Sequence, residues 1–391
     1  MEYKKIIELT TVVTGGTPST EKREYWDNGS IPWLQSGCCQ NCEVNSAGKY
    51  ITQEGYDNSS TRMMPADTVM IALTGATAGK VGYLNFAACG NQSITGILPC
   101  GALNQRYLFY YLISQRHKIL ADCVGGAQAH ISQGYVKNIK VPVLSLVEQE
   151  QVVEVLTQLN NIISMRRKEI GLLDTLVKSR FVELFGDPYV NPLKWKRLKI
   201  KDAVTIEPQN GLYKPQSDYV ADGTGTPILR IDGFYNGRVT DFGSLKRLKC
   251  SGMEQQRYLL LEDDIVINRV NSIEYLGKCA HIKGLLEDTV YESNMMRMHF
   301  DPEHYNPVYI CKLLCSQYIY DQIVNHAKKA VNQASINQKD VLDFNIYQPP
   351  LELQNQFADF VVSVDKSKSK IQKSLEETQL LFDSLMQKYF G

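Results

Sequence analysis

The chain has 391 residues, 43% hydrophobic and 21% charged, with 42 Lys/Arg against 42 Asp/Glu. That length suffices for two or three domains with cores of their own, and zero net charge excludes a protein whose whole surface grips nucleic acid. No apolar run reaches the roughly eighteen residues of a membrane span, and MEYKKIIELTTVV is neither a signal nor a transit peptide, so the chain reads as cytoplasmic.

Residues 1–145 carry twelve Lys/Arg against ten Asp/Glu. Short Val/Ile-rich runs such as TVMIALTG (68–75) alternate with Gly, Asn and Pro, which predicts a mixed α/β domain with many loops. GATAGK invites a phosphate-loop reading, but Thr74 and Val81 stand where that motif needs Gly and Ser/Thr. In CCQNC, Cys39 and Cys42 have CxxC spacing. No second ligand pair follows, so no metal is expected. The ten cysteines are scattered and are expected to be reduced thiols; a redox use of Cys39 and Cys42 stays open.

The next stretch, QAHISQGYVKNIKVPVLSLVEQEQ (128–151), recurs as QASINQKDVLDFNIYQPPLELQNQ (333–356) at a constant offset of 205. Gln133 meets Gln338, Val136 meets Val341, Gln149 meets Gln354, and the offset carries on until LFG (184–186) meets YFG (389–391). A fixed period over half a chain is a tandem duplication. Each copy ends in a heptad helix. The first seam runs Val152, Leu156, Leu159, Ile163, Arg166, Ile170, Leu173, Val177, Arg180, Leu184. Adding the offset gives Phe357, Val361, Val364, Lys368, Ile371, Leu375, Thr378, Phe382, Leu385, Tyr389. Steps of four and three alternate, as a coiled coil requires. The polar interruptions differ between copies, which fits two helices packing on each other within one chain; the alternative is two amphipathic helices each capping its own domain. Each helix is expected to span about 33 residues, about 50 Å. Pro142 and Pro349–Pro350 would stop the incoming strands, and Gly186 with Pro188 would end the first helix.

Residues 187–350 carry twenty Lys/Arg against twenty Asp/Glu. DIVINRV (264–270) reads as a strand, EDD (262–264) as a charged turn at its start, and Cys311 with Cys315 as a buried apolar face. NSIEYLGKCAHI (271–282) matches TGATAGKVGYL (74–84) in layout, a strand, a glycine turn and a Gly-Lys pair. Elsewhere the two globular parts hardly match. Neither DPYV (187–190) nor QPPL (348–351) makes the Asn/Asp-Pro-Pro-aromatic loop of an amino-methyltransferase, and no HExxH or GxSxG occurs, so no catalysis is expected.

Several of these stretches resemble one family, the specificity subunits of type I restriction–modification systems. TGGTPSTEKREYWDNGSIPWLQSG (14–37) is similar to the opening of a family target-recognition domain. PADTVMIALTGATAGKVG (65–82) resembles its strand and glycine-rich loop, and GGAQAHISQGYVKNIKVPVLSLVEQEQVV (125–153) the joint into the helix. NGLYKPQSDYV and GTPILRIDGF (210–234) resemble a second opening, without GGTPS or IPW. The resemblance implies an α+β protein in which two target-recognition domains (1–145 and 187–350) alternate with two spacer helices (146–186 and 351–391). Those helices would form an antiparallel coiled coil with pseudo-twofold symmetry. Each head would read one half of a split sequence in double-stranded DNA, with half-sites about 10 bp apart. Two methyltransferase subunits and restriction–translocase subunits would dock, bringing S-adenosylmethionine and ATP; this chain would bind no cofactor. The alternative is a two-headed protein–protein adaptor that binds no DNA.

Gln, Asn and Arg read base edges, while Ser, Thr and Lys mostly hold phosphates. In the first head the candidate contacts are Thr17, Ser19, Gln35, Ser36, Arg62, Thr74, Lys80, Gln128 and His130. In the second they are Tyr213, Lys214, Arg230, Asn268, Arg269, Asn271, Lys278, Gln333 and Ser335. The bland alternatives are turn-closing Ser and Thr, a core histidine at 130, and Gln128 and Gln333 pinning each head to its helix. Val152, Leu156, Leu159, Ile163, Ile170, Val177, Phe357, Val361, Val364, Leu375, Phe382 and Leu385 are the expected coiled-coil and partner positions.

Overall fold

Each globular head is clasped shut by its own two ends. Glu2–Lys5 pairs antiparallel with Lys140–Val143, and Lys196–Lys199 pairs the same way with Asn345–Gln348. The computed structural model describes residues 2–122, 130–331 and 333–391. The candidate Gln128 lies outside them. Pro142 does not stop the incoming strand: it sits inside it, opposite Tyr3. A two-stranded sheet leaves every strand with a free edge, and there the missing N–H is tolerated.

The first head's main sheet runs in the order Val12–Thr14, Ile94–Ile97, Thr68–Ala72, Val81–Leu84, Cys42–Val44. Thr68–Ala72 is buried at every position because both faces of the sheet are covered. Val69 and Ile71 face the helix Gln105–Ser114, in a core with Tyr107 and Leu108. Met70 and Ala72 face the opposite way, onto Leu34, Met64 and Ile94. Burial on both faces is why this strand reads as an unbroken apolar run. The second head repeats the plan. Ile265–Asn268 lies within a six-stranded sheet, with Ile265 and Ile267 in one core beside the helix Pro307–Leu314 and Val266 in another. The heads thus share an architecture of which their sequences display only the layout of strand, glycine turn and Gly-Lys pair.

The chain divides into two units, residues 1–169 with 371–391, and residues 170–370. The long helices, Leu146–Phe185 and Leu351–Phe390, have 40 residues each. They exceed the expected 33 because helix begins directly after the strand, a turn and a half before the first seam residue. Every seam position is buried or half-buried. In the first unit Val152, Leu156 and Ile163 share a core with Phe382, Met386 and Phe390. In the second, Val177, Phe181 and Phe185 share one with Phe357, Val361 and Val364. The start of each helix therefore lies on the end of the other, which is antiparallel pairing. Those cores also contain Tyr107 and Tyr309 from the heads, so the helices both pair and cap. The polar seam positions find partners. Arg166 donates to the Ser374 carbonyl and to Thr378, and Lys368 meets Asp174 at 2.6 Å. Gly186, in the left-handed region at φ 77°, ends the first helix. Among the described residues no helix is long and apolar enough to cross a membrane.

Candidate nucleic-acid interface

One short loop organises each head. In the first it is 91–93, between the strands Cys89–Gly90 and Ile94–Ile97. The Asn91 N–H donates to the Leu34 carbonyl at 2.9 Å, the Ser93 carbonyl accepts from the Leu73 N–H at 2.8 Å, and the Leu73 carbonyl accepts from the Ile131 N–H at 2.8 Å. In the second head the loop is 292–294. There the Glu292 N–H donates to Leu229 at 3.0 Å, Asn294 accepts from Arg269 at 2.9 Å, and Arg269 accepts from Ile336 at 3.0 Å. Two backbones whose sequences have diverged make the same three bonds in the same order. A glycine makes room for each loop. A Cβ on Gly15 would lie 2.1 Å from the Gly90 oxygen, and one on Gly211 would lie 2.3 Å from the Tyr291 and Glu292 oxygens.

The bonded segments bring some of the sequence-derived candidates next to these loops. In the first head Gln35 and Ser36 follow Leu34, and Thr74 follows Leu73 and bridges to His130. Thr17 Oγ1 donates to Gln92 Oε1 at 2.5 Å. Arg62 follows Thr61, whose hydroxyl donates to the Gly90 carbonyl at 3.0 Å, and is itself exposed. Lys80 reaches Gln40 Oε1 at 2.6 Å. Ser19 is exposed, and its carbonyl accepts from the Trp26 indole at 3.0 Å, so it stands apart from the loop. His130 is exposed, which removes the core-histidine alternative.

In the second head Tyr213 follows Leu212, whose carbonyl accepts from the Ser293 N–H at 2.9 Å; its side chain is 77% exposed. Arg230 follows Leu229 and places Nε 3.9 Å from Glu292 and 3.7 Å from Asp232. Arg269 donates to the Ser293 carbonyl at 3.1 Å. Asn271 and Ser335 pair with Ala334 and Val270 in a small sheet, and Gln333 lies exposed at the tip of its hairpin. Lys278 donates to the Ile231 carbonyl at 3.1 Å and lies 3.5 Å from the centre of the Tyr235 ring; burial lowers its pKa. Lys214 is held by Glu254 at 2.9 Å and Asp218 at 3.7 Å. Asn268 is fully buried, and neither of its side-chain polar atoms has a protein partner.

The sequence reading passed over Gln92 and Ser93 in GNQS and over Glu292 and Asn294 in ESN. The signal was a polar triplet wedged directly before a core strand. Gln128 and Gln333 were the alternative pins between head and helix. Gln128 lies outside the described residues and Gln333 is exposed, while Gln149 and Gln354, not singled out as pins from the sequence, join each head to its helix. The surroundings of each loop offer amides, hydroxyls and guanidinium groups, the donors and acceptors that read base edges and phosphates. Among the described residues no group of His, Cys, Asp and Glu could hold a metal ion.

The model for the type I restriction modification DNA specificity domain matches this chain twice, over residues 1–172 and 192–378. The chain belongs to that family. Its relatives include a type I restriction enzyme specificity subunit of Escherichia coli, 31% identical over 41% of each chain. Another is that of the MjaIX enzyme of Methanocaldococcus jannaschii, 22% identical over 99% of this chain and 92% of the relative. In fold, the chain is similar to the type I specificity subunit of M. genitalium, with a TM-score of 0.56 at 15% identity, covering 100% of this chain and 96% of that one. A chain from a structure of type I complex assembly gives a TM-score of 0.58 at 14% identity, with coverage of 100% and 97%. A type I specificity subunit is not an enzyme; catalysis resides in its partner subunits.

Proposed function

We propose that this specificity subunit reads a bipartite double-stranded DNA target, one half with each loop-centred rim, while the helix pair sets the gap between the halves. The observation that carries the reading is the shared backbone scaffold around 91–93 and 292–294, which presents different side chains at equivalent places. A fixed frame with variable contents suits reading two unlike half-sites. Two methyltransferase subunits dock on the assembly and restriction–translocase subunits join them, so S-adenosylmethionine and ATP are bound by partners. The setting is the cytoplasm, where the DNA is. The experiment is base-resolved mapping of methylation in cells that carry this chain with its methyltransferase partner. A split motif with unlike halves is expected, and exchanging residues 1–145 should change one half alone. An assembled complex that leaves DNA unmethylated at any split motif would favour a protein–protein adaptor.

A further inference from the structure

Gln149 and Gln354 occupy equivalent places in the two copies, and each is completely buried. Gln149 Oε1 accepts the Asn104 N–H at 2.8 Å. Its Nε2 donates to the Leu144 carbonyl at 2.9 Å and to the Ala102 carbonyl at 3.5 Å. Gln354 does the same in its own unit. It accepts from the Asn306 N–H at 2.8 Å and donates to the Pro349 and His304 carbonyls at 2.8 and 2.9 Å. Asn104 and Asn306 are the N-caps of the head helices Gln105–Ser114 and Pro307–Leu314. One amide therefore ties three segments together: the cap of the head's helix, the end of its closing strand and the fourth residue of the long helix. Only a side chain with an acceptor and two donors on one rigid plane meets all three. A buried amide with every bond made fixes a single geometry, because any other leaves polar groups dry and unpaired.

We infer that Gln149 and Gln354 are positioning residues that set the angle between each head and its helix, and through it the gap accepted between half-sites. The inference rests on the heads being half-site readers. Leverage makes the angle matter. Residues 146–169 of the long helix belong to the head's own unit and span about 36 Å, so a tilt of about 5° at the helix root moves the far end of that segment by about 3 Å, close to one base-pair rise. Hydrophobic contact alone is too soft to hold that tolerance, since apolar burial is not directional.

The test uses the full chain with its methyltransferase partner on a DNA library in which the two half-sites are kept and the gap varies one base pair at a time. The wild type should methylate at one gap. Gln149→Met keeps the volume and removes the three bonds. It should methylate the neighbouring gaps at least about tenfold better than wild type, the scale of one or two net hydrogen bonds, with the half-site bases unchanged. A merely stabilising residue would lower the melting temperature and leave the gap alone. Gln354→Met repeats the test in the other unit should the first variant not fold. A folded variant confined to the wild-type gap overturns the positioning role and leaves the heads as readers. A wild-type complex that methylates no split target overturns both.

Discussion

Asp264 accepts a hydrogen bond from Arg297 at 3.0 Å in a site where the carboxylate is completely buried. Its oxygens also take the Leu261 N–H at 2.8 Å and a His299 ring nitrogen at 3.0 Å. The three partners come from the preceding turn and the neighbouring strand Met295–Phe300, so this carboxylate pins the turn to the sheet of the second head. Asp264→Ala leaves the Arg297 guanidinium, 11% exposed, without its counter-charge. Breaking a buried pair from one side costs about 3–5 kcal/mol, so the second unit should melt well below wild type. Replacing both residues by apolar ones of similar volume should restore the part of the loss that comes from the unpaired guanidinium, and not the part from the Leu261 N–H and His299, which still lack their acceptor. Chemical denaturation of the single and double variants is the measurement.

That site marks where sequence reading stops. EDD at 262–264 has the look of a solvated turn. Glu262 behaves that way, accepting backbone N–H groups from Gly284 and Leu285. Asp264 turns inward, and its partners lie 33 and 35 residues further on, a distance no local pattern spans. The helix seam was legible because its period is local, and every seam residue, Arg166 and Lys368 included, faces inward or sits half-buried. The likeness of the heads was legible only in the shared layout of strand, glycine turn and Gly-Lys pair and in the family resemblance; the rest is carried by backbone bonds such as Asn91 to Leu34 and Glu292 to Leu229, which leave side chains free to differ. The rim candidates were picked by residue type and loop position. About half of them adjoin the organising loops, while Asn268, alike in type, is completely buried in its strand of the sheet.

The seam predicts a sharp contrast between adjacent positions. Phe382 is 9% exposed and lies edge-on to Tyr110 with ring centres 6.2 Å apart. Phe382→Ala should destabilise the first unit by about 3–5 kcal/mol. Leu380, 70% exposed, points away, and Leu380→Ser should change stability by less than about 0.5 kcal/mol. Equal effects in thermal denaturation would mean that the helices do not meet along this seam.

Gly211 tests whether the loop at 292–294 organises reading by the second head. A methyl group there would sit 2.3 Å from two carbonyl oxygens, so Gly211→Ala must push the loop aside, at about 1–3 kcal/mol. Methylation should become insensitive to the half-site read by the second head and stay strict for the other half. Gly37→Ala is the control, since nothing lies within 4 Å of the added atom. Mapping the methylated sequences of both variants separates loop placement from general damage.

Two carboxylates in the second head should respond to pH in opposite senses. Burial raises the Glu292 pKa above the usual 4.5, against the pull of the Ile231 N–H and Arg230. The Ser251 backbone N–H, with Lys214 and the Ser251 hydroxyl, holds Glu254 down at about 2. For Glu292 the folded state binds the proton more tightly. Its contribution is therefore fully present below pH 4.5 and is lost as pH rises through the folded value. For Glu254 the contribution is present above pH 4.5 and is lost as pH falls towards about 2. Glu292→Gln keeps an acceptor for the Ile231 N–H and removes the buried charge. It should melt above wild type at neutral pH, with the difference closing in acid. Glu254→Gln should melt below wild type at neutral pH, and its deficit should fade only as the pH drops from 4.5 towards 2. Melting temperatures of the three proteins across that range are the measurement. Parallel curves for the two variants would show that burial around Glu292 does not govern its charge.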